Sequence, residues 1–131
     1  GWDIYISVNK VCAHLINVWS SKAYKVTGGT IITDNKWHHI AVTYDGTESI
    51  NGFKIYVDGS LETLTENTNN DWTGNITYGS NNTLVIGARR NGVDYMRHIK
   101  GKIDDVRIYN TALTAAQVSN LYNSYSVVLR Y

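Results

Sequence analysis

The sequence predicts an all-β protein, an antiparallel β-sandwich with one short helix near the C-terminus. Three observations predict it. The chain contains no proline and is rich in residues that suit pleated strands and their turns, with 10 Tyr, 4 Trp and 11 Gly. Its apolar residues fall in short runs cut by Gly, Asn and Asp, the rhythm of strands joined by turns. A single segment carries the boundary signals of a helix.

The elements follow in order. Residues 3–8 alternate, with Ile4, Ile6 and Val8 on one face and Asp3, Tyr5 and Ser7 on the other. Residues 11–19 read as a longer, more apolar strand, and 23–26 as a short one ending at Gly28-Gly29. Residues 37–44 form a strand closed by Asp45-Gly46. Residues 53–57 set Phe53, Ile55 and Val57 against Lys54 and Tyr56, and Asp58-Gly59 then marks a tight hairpin returning along 61–64. Residues 66–82 are a polar loop rich in Asn, Thr and Gly, long enough to suggest a functional role. A buried strand is expected over 84–88, a loop over 89–98 and a strand over 102–109. Thr114 and Gln117 form a capping box, Leu113 and Val118 a hydrophobic staple, and Val118, Leu121 and Tyr122 share one face of the helix they open. The alternating tail 125–131 is expected to be a last strand.

Composition bounds the function. The chain's 131 residues suit one domain over 1–131, and 43% hydrophobic residues supply a core. Twelve basic against 11 acidic residues leave a net charge of +1, which argues against a nucleic-acid partner. No apolar run reaches the ~18–20 residues of a membrane span, so no membrane insertion is expected. The single Cys12, in an apolar run, excludes an internal disulfide and reads as a buried small hydrophobe. The first residues lack the basic and apolar regions of a leader, although one could have been removed.

Three ordered segments carry a family resemblance: Trp37-His38-His39-Ile40-Ala41-Val42-Thr43-Tyr44-Asp45-Gly46, then Lys54-Ile55-Tyr56-Val57-Asp58-Gly59, then Gly101 to Asn110 with Ala112-Leu113-Thr114. Together they resemble the laminin G-like jelly-roll domain of the concanavalin A-like lectin/glucanase superfamily, over about residues 31–122. The resemblance implies the fold more than a function, because this fold hosts lectins, enzymes and adhesive modules. The family's usual first strand pattern is missing. The expectation is a domain lacking its first strands, completed by the C-terminal tail or by a homo-oligomeric or parent-protein partner pairing with an open sheet edge.

Catalysis is not expected. Glucanases on this fold place carboxylates at alternate positions of one strand. Glu62 and Glu66 have the outer spacing, but Leu64 stands between them. Asp104 and Asp105 are adjacent, so on a strand they face opposite ways and form no dyad. His14, His38, His39 and His98 show no zinc-ligand spacing, and a packed or hydrogen-bonded role is expected for the His38-His39 pair.

Binding is expected instead, to carbohydrate or to a protein surface. Trp72, Tyr78 and Tyr95 lie in loops, where aromatic faces can meet sugars; Trp72 can equally fold back as a loop plug. Arg89, Arg90, Arg97, Lys100 and Lys102 against Asp94 make a local basic patch, suited to an anionic glycan or simply to strand ends. The resemblance implies a rim Ca²⁺, for which Asn91, Asp94 and Asp104 are the candidate ligands, with Asn69, Asn70 and Asp71 as another oxygen-rich loop. Asn75 and Asn81 fit glycosylation sequons. The expected setting is extracellular, cell-surface or virion-associated. The alternative function is a structural or assembly module making contacts through an open sheet edge.

Overall fold

The computed structural model describes residues 1–18, 22–47, 49–66, 69–70, 83–91 and 94–125. Its described residues form antiparallel strands, one α-helix and a 3-10 turn at Ile50–Gly52, as expected of a β-sandwich. The strands are β1 (Trp2–Ser7), β2 (Lys10–Val18), β3 (Lys22–Thr27), β4 (Ile40–Tyr44), β5 (Phe53–Val57), β6 (Ser60–Leu61), β7 (Thr65–Glu66), β8 (Asn69–Asn70), β9 (Arg89–Asn91) and β10 (Asp94–Met96); the helix is α1 (Ala115–Tyr125). The chain divides into two compact units. One comprises residues 1–77 and 111–131, the other residues 78–110.

The first unit contains two sheets. In the larger, the order is β1-β2-β3-β7, with β8 also on β3; in the smaller it is β4-β5-β6. β1 and β2 pair around a two-residue turn, Val8-Asn9, with Trp2 opposite Leu15, Ile4 opposite Ala13 and Ile6 opposite Val11. β4 and β5 pair from Ile40–Val57 to Tyr44–Phe53. The core lies between the sheets. Val11, Ala13, Leu15 and Val26 from the larger meet Phe53, Ile55 and Val57 from the smaller, all at 5% exposure or less. Period-two alternation produces this arrangement, because residues at i, i+2 and i+4 share a sheet face. β2 is buried on both faces, as a central strand should be: Cys12 and His14, on the side away from this core, are buried too.

The helix forms where its caps predict. Thr114 N–H donates to Gln117 Oε1 at 2.8 Å, and Gln117 N–H donates to Thr114 Oγ1 at 3.3 Å. This reciprocal pair satisfies donors that the first turn leaves unbonded. Val118 is fully buried. α1 reaches the β5–β6 turn through Tyr122: a Cβ placed on Gly59 would lie 2.9 Å from Tyr122 Cδ1, and Gly59 has φ +76°.

Several elements differ from expectation. β4 begins at Ile40 rather than at residue 37, because His38 and His39 are held by the turn residue Asp58. Residues 84–88 form no strand: Gly87 turns the backbone at φ +83°, and Leu84 and Ile86 are each 56% exposed. Residues 102–109 form none either. Asp105, at φ +47°, breaks the extended path, its N–H taken by Asp104 Oδ1 at 2.8 Å. The expected loop over 89–98 contains instead the antiparallel pair β9–β10, in the second unit. Tyr125 ends α1 rather than opening a strand, and the rest of the expected tail strand, 126–131, lies outside the described residues.

Candidate functional site

The β9–β10 hairpin gathers most of the expected ligand residues. Arg89 is the backbone partner of Met96, Arg90 of Tyr95, and Asn91 of Asp94. Directly opposed residues of an antiparallel pair share one face, with Cβ atoms ~4.5–5.5 Å apart. The ladder therefore puts positions 90 and 95 opposite each other in register. Tyr95 is 54% exposed. Arg97 follows β10 at once, with φ +53°, and is exposed. Just beyond the hairpin, Ile99 N–H donates to Gly87 O at 2.8 Å. Trp72 and Tyr78 lie outside the described residues.

The candidate Ca²⁺ ligands are distributed unevenly. Asn91 and Asp94 are register partners at the end of the hairpin ladder. Asp104 lies on residues 102–109, exposed, with Oδ1 accepting its neighbour's N–H. Among the described residues there is no group of three or more His, Cys, Asp or Glu side chains placed to hold a metal. Nearby, Arg107 makes a bidentate contact with Asp105, Nε and a terminal nitrogen each 2.9 Å from a carboxylate oxygen. That contact holds the guanidinium pKa above its usual value.

In the first unit, Glu62 has a structural task. Its Oε2 accepts Thr30 N–H at 2.6 Å and its Oε1 accepts the Thr30 hydroxyl at 2.8 Å, fastening the chain after Gly29 to the end of β6. A shallow cleft nearby is lined by Val26, Phe53, Lys54, Leu61, Glu62 and Leu64.

Two polar constellations were not anticipated. On β1 and β2, His14 Nε2 lies 2.8 Å from the Tyr5 hydroxyl and Nδ1 lies 2.9 Å from Asp3 Oδ1. The Tyr5 hydroxyl and His14 Nε2 are at hydrogen-bond distance, and Asp3 approaches the other ring nitrogen as a carboxylate contact. The pairing of Asp3 with His14 follows from the two-residue turn at Val8-Asn9, which the strand-like alternation over residues 3–8 hid in the sequence. The second constellation involves His38, which does hydrogen-bond as expected. Its Nδ1 is 2.7 Å from Asp58 Oδ2 and its Nε2 is 2.9 Å from Asp34 Oδ1. Asp58 Oδ1 also accepts His39 N–H at 2.9 Å, and Asp58 N–H donates to His39 O at 2.8 Å. Hydrogen bonds to Asp58 and then to Asp34 hold the His38 pKa above the usual imidazole value.

A laminin G family model, described as the concanavalin A-like lectin/glucanases superfamily, matches residues 1–119. The chain belongs to this superfamily. The match includes the first hairpin, well upstream of the segments that carry the resemblance in the sequence. No curated protein matches the chain. Among solved structures, the chain is similar to residues 221–444 of an S-layer domain-containing protein from Clostridium thermocellum, with a TM-score of 0.53 and 23% identity, over 86% of this chain and 51% of that one. At that identity the likeness shows the shared fold, and this superfamily member spans about half of the similar structure. No described helix is long and apolar enough to cross a membrane.

Proposed function

We propose that this chain is a non-catalytic binding module of the superfamily, displayed at a cell surface or outside the cell, that takes carbohydrate on its β9–β10 hairpin. The observation that carries the reading is the ladder position of exposed Tyr95 opposite Arg90, with Arg97 immediately after the strand. An aromatic face stacks on sugar C–H groups, and guanidinium forks hold sulfate or carboxylate substituents bidentately. The S-layer domain-containing neighbour supports a surface setting. The non-catalytic reading is supported by Glu62, whose two carboxylate oxygens are committed to Thr30.

A glycan array carrying neutral and sulfated oligosaccharides tests the proposal. Tyr95→Ala and Arg97→Ala are each expected to weaken binding at least tenfold while leaving the fold intact by circular dichroism. Unchanged affinity in both variants overturns the hairpin assignment. Running the array with Ca²⁺ and with EDTA tests the cation. Asn91 and Asp94 at the ladder end, with Asp104, are the oxygen donors proposed to contribute, and identical binding in EDTA removes Ca²⁺ from the reading.

A second reading, an assembly module, has its own observation. Among the described residues β1 is an edge strand of the larger sheet, and Trp2, Ile4 and Ile6 on its core-side face are 40–46% exposed. An apolar edge of this kind invites strand pairing. Ile4→Lys is expected to convert an oligomer to monomer in light scattering. A wild-type chain that is monomeric at high concentration sinks this reading.

A further inference from the structure

The segment 31–39 crosses from the larger sheet of the first unit to the smaller. At one end it is tied down by Ile32, whose N–H donates to Asn9 O at 2.8 Å and whose side chain packs on the core. At the other end it is tied by His38. Both ring nitrogens of His38 lie within 3 Å of a carboxylate oxygen, Asp58 on the β5–β6 turn and Asp34 within the segment itself. A neutral imidazole has one N–H and one lone pair, so it can satisfy only one of these acceptors and turns its lone pair toward the other. Only the doubly protonated ring donates to both.

We infer that Asp34, His38 and Asp58 form a pH-operated latch, in which protonated His38 fastens the strap 31–39 to the β5–β6 turn and its deprotonation lets the strap go. The charged surroundings favour this protonation. From the strap, Asp34 faces the ring, with Lys36 Nζ 3.5 Å from its other oxygen. From the turn, Asp58 faces it. Helix α1, which meets the same turn through Tyr122, contains no charged residue in its sequence AAQVSNLYNSY. His39, next in the chain, has its ring 6.0 Å from that of Tyr122. The His38 side chain is 18% exposed, so the contacts are partly shielded from water yet protons can reach them.

The direction of the switch follows from linkage. The folded His38 pKa is raised above 6.5, so its contribution is complete below that value and is lost as pH rises through the folded pKa. Asp34, held below 3.8 chiefly by its bond to His38, contributes above that value and is lost as pH falls through its own folded pKa. The latch is therefore closed across the interval between the two and opens at either side. Each unit by which His38 is raised corresponds to about a tenfold tighter closure on protonation.

Nuclear magnetic resonance of the isotopically labelled chain tests this. The His38 ring is expected to titrate with a midpoint above 6.5, and the amides of residues 34–39 to shift with the same midpoint. Their exchange protection, corrected for intrinsic rates, should then fall by the factor that the measured shift defines. Asp34→Asn, a change at an exposed position, should lower the midpoint. His38→Gln should abolish the strap transition; if that variant does not fold, Asp34→Asn alone decides. A ring midpoint at or below 6.5, strap amides that do not follow the ring, or a midpoint unmoved in Asp34→Asn overturns the latch.

Discussion

Val8 is the residue least suited to its place. It and Asn9 both take positive φ, 47° and 61°, to make the two-residue turn between β1 and β2. Asn tolerates that region; a β-branched side chain does not. Val8 is also 88% exposed, so it loses the conformational argument without a packing gain. Val8→Asn is expected to stabilise the fold by about 1 kcal/mol, seen as a higher urea midpoint with an unchanged slope; a lower midpoint would refute the account. Ile55 is the opposite case, fully buried in the core, and Ile55→Ala should cost about 2–5 kcal/mol. The alternation over 53–57 made Ile55 legible in the sequence. The turn at Val8 was not, because its period-two pattern extends the strand by one residue and hides the need for a left-handed backbone. His38 was legible as a hydrogen-bonding residue, but its partners were not. One sits four residues earlier and the other on a turn twenty residues later, and only the β4–β5 register brings the second into reach.

At the scale of elements, the best-read ones were those whose local chemistry and tertiary role agree. The β5–β6 hairpin follows from Asp58-Gly59, which take φ of 51° and 76°. Gly59 is needed twice over, for that φ and because a Cβ would press on Tyr122 of α1. Gly59→Ala is expected to cost at least ~1 kcal/mol and to loosen α1 as well as the hairpin, so Tyr122 fluorescence should change along with the unfolding midpoint. The capping box at Thr114 and Gln117 is likewise local, and Thr114→Ala should cost about 1 kcal/mol. A shift of midpoint below a tenth of that would mean that tertiary packing of Val118, not the cap, sets where the helix starts. Segments 84–88 and 102–109 have a strand's composition but not its backbone. A strand needs a neighbour to complete its ladder, and local composition cannot supply one; positive φ at Gly87 and Asp105 turns the backbone there instead. The β9–β10 hairpin was hidden for the reverse reason: each strand is only three residues long, too short to show a period.

For the whole molecule, the division into two units carries an energetic consequence. Every buried apolar residue among those described, from Val11 to Val118, belongs to the unit formed by residues 1–77 and 111–131. In the other unit the apolar side chains Leu84, Ile86, Tyr95, Ile99, Ile103, Val106 and Ile108 are all more than 40% exposed. Burial of apolar area is the main favourable term in folding, at ~25 cal/mol per Å². Within its own unit the hairpin proposed to meet the ligand is held by its ladder and by local bonds such as Ile99 to Gly87, while β2 and β5 lie in the core of the first unit. Local opening draws on exactly such differences in burial within one chain. Hydrogen exchange should separate the two: amides of β2 and β5 should be protected up to the global unfolding limit, and amides of β9 and β10 should exchange at least a hundredfold faster. Saturating glycan should slow β9 and β10 without moving β2. Equal protection in both units would show that the second unit acquires a buried face in solution, and would favour its apolar residues as an assembly surface over the hairpin as a ligand platform.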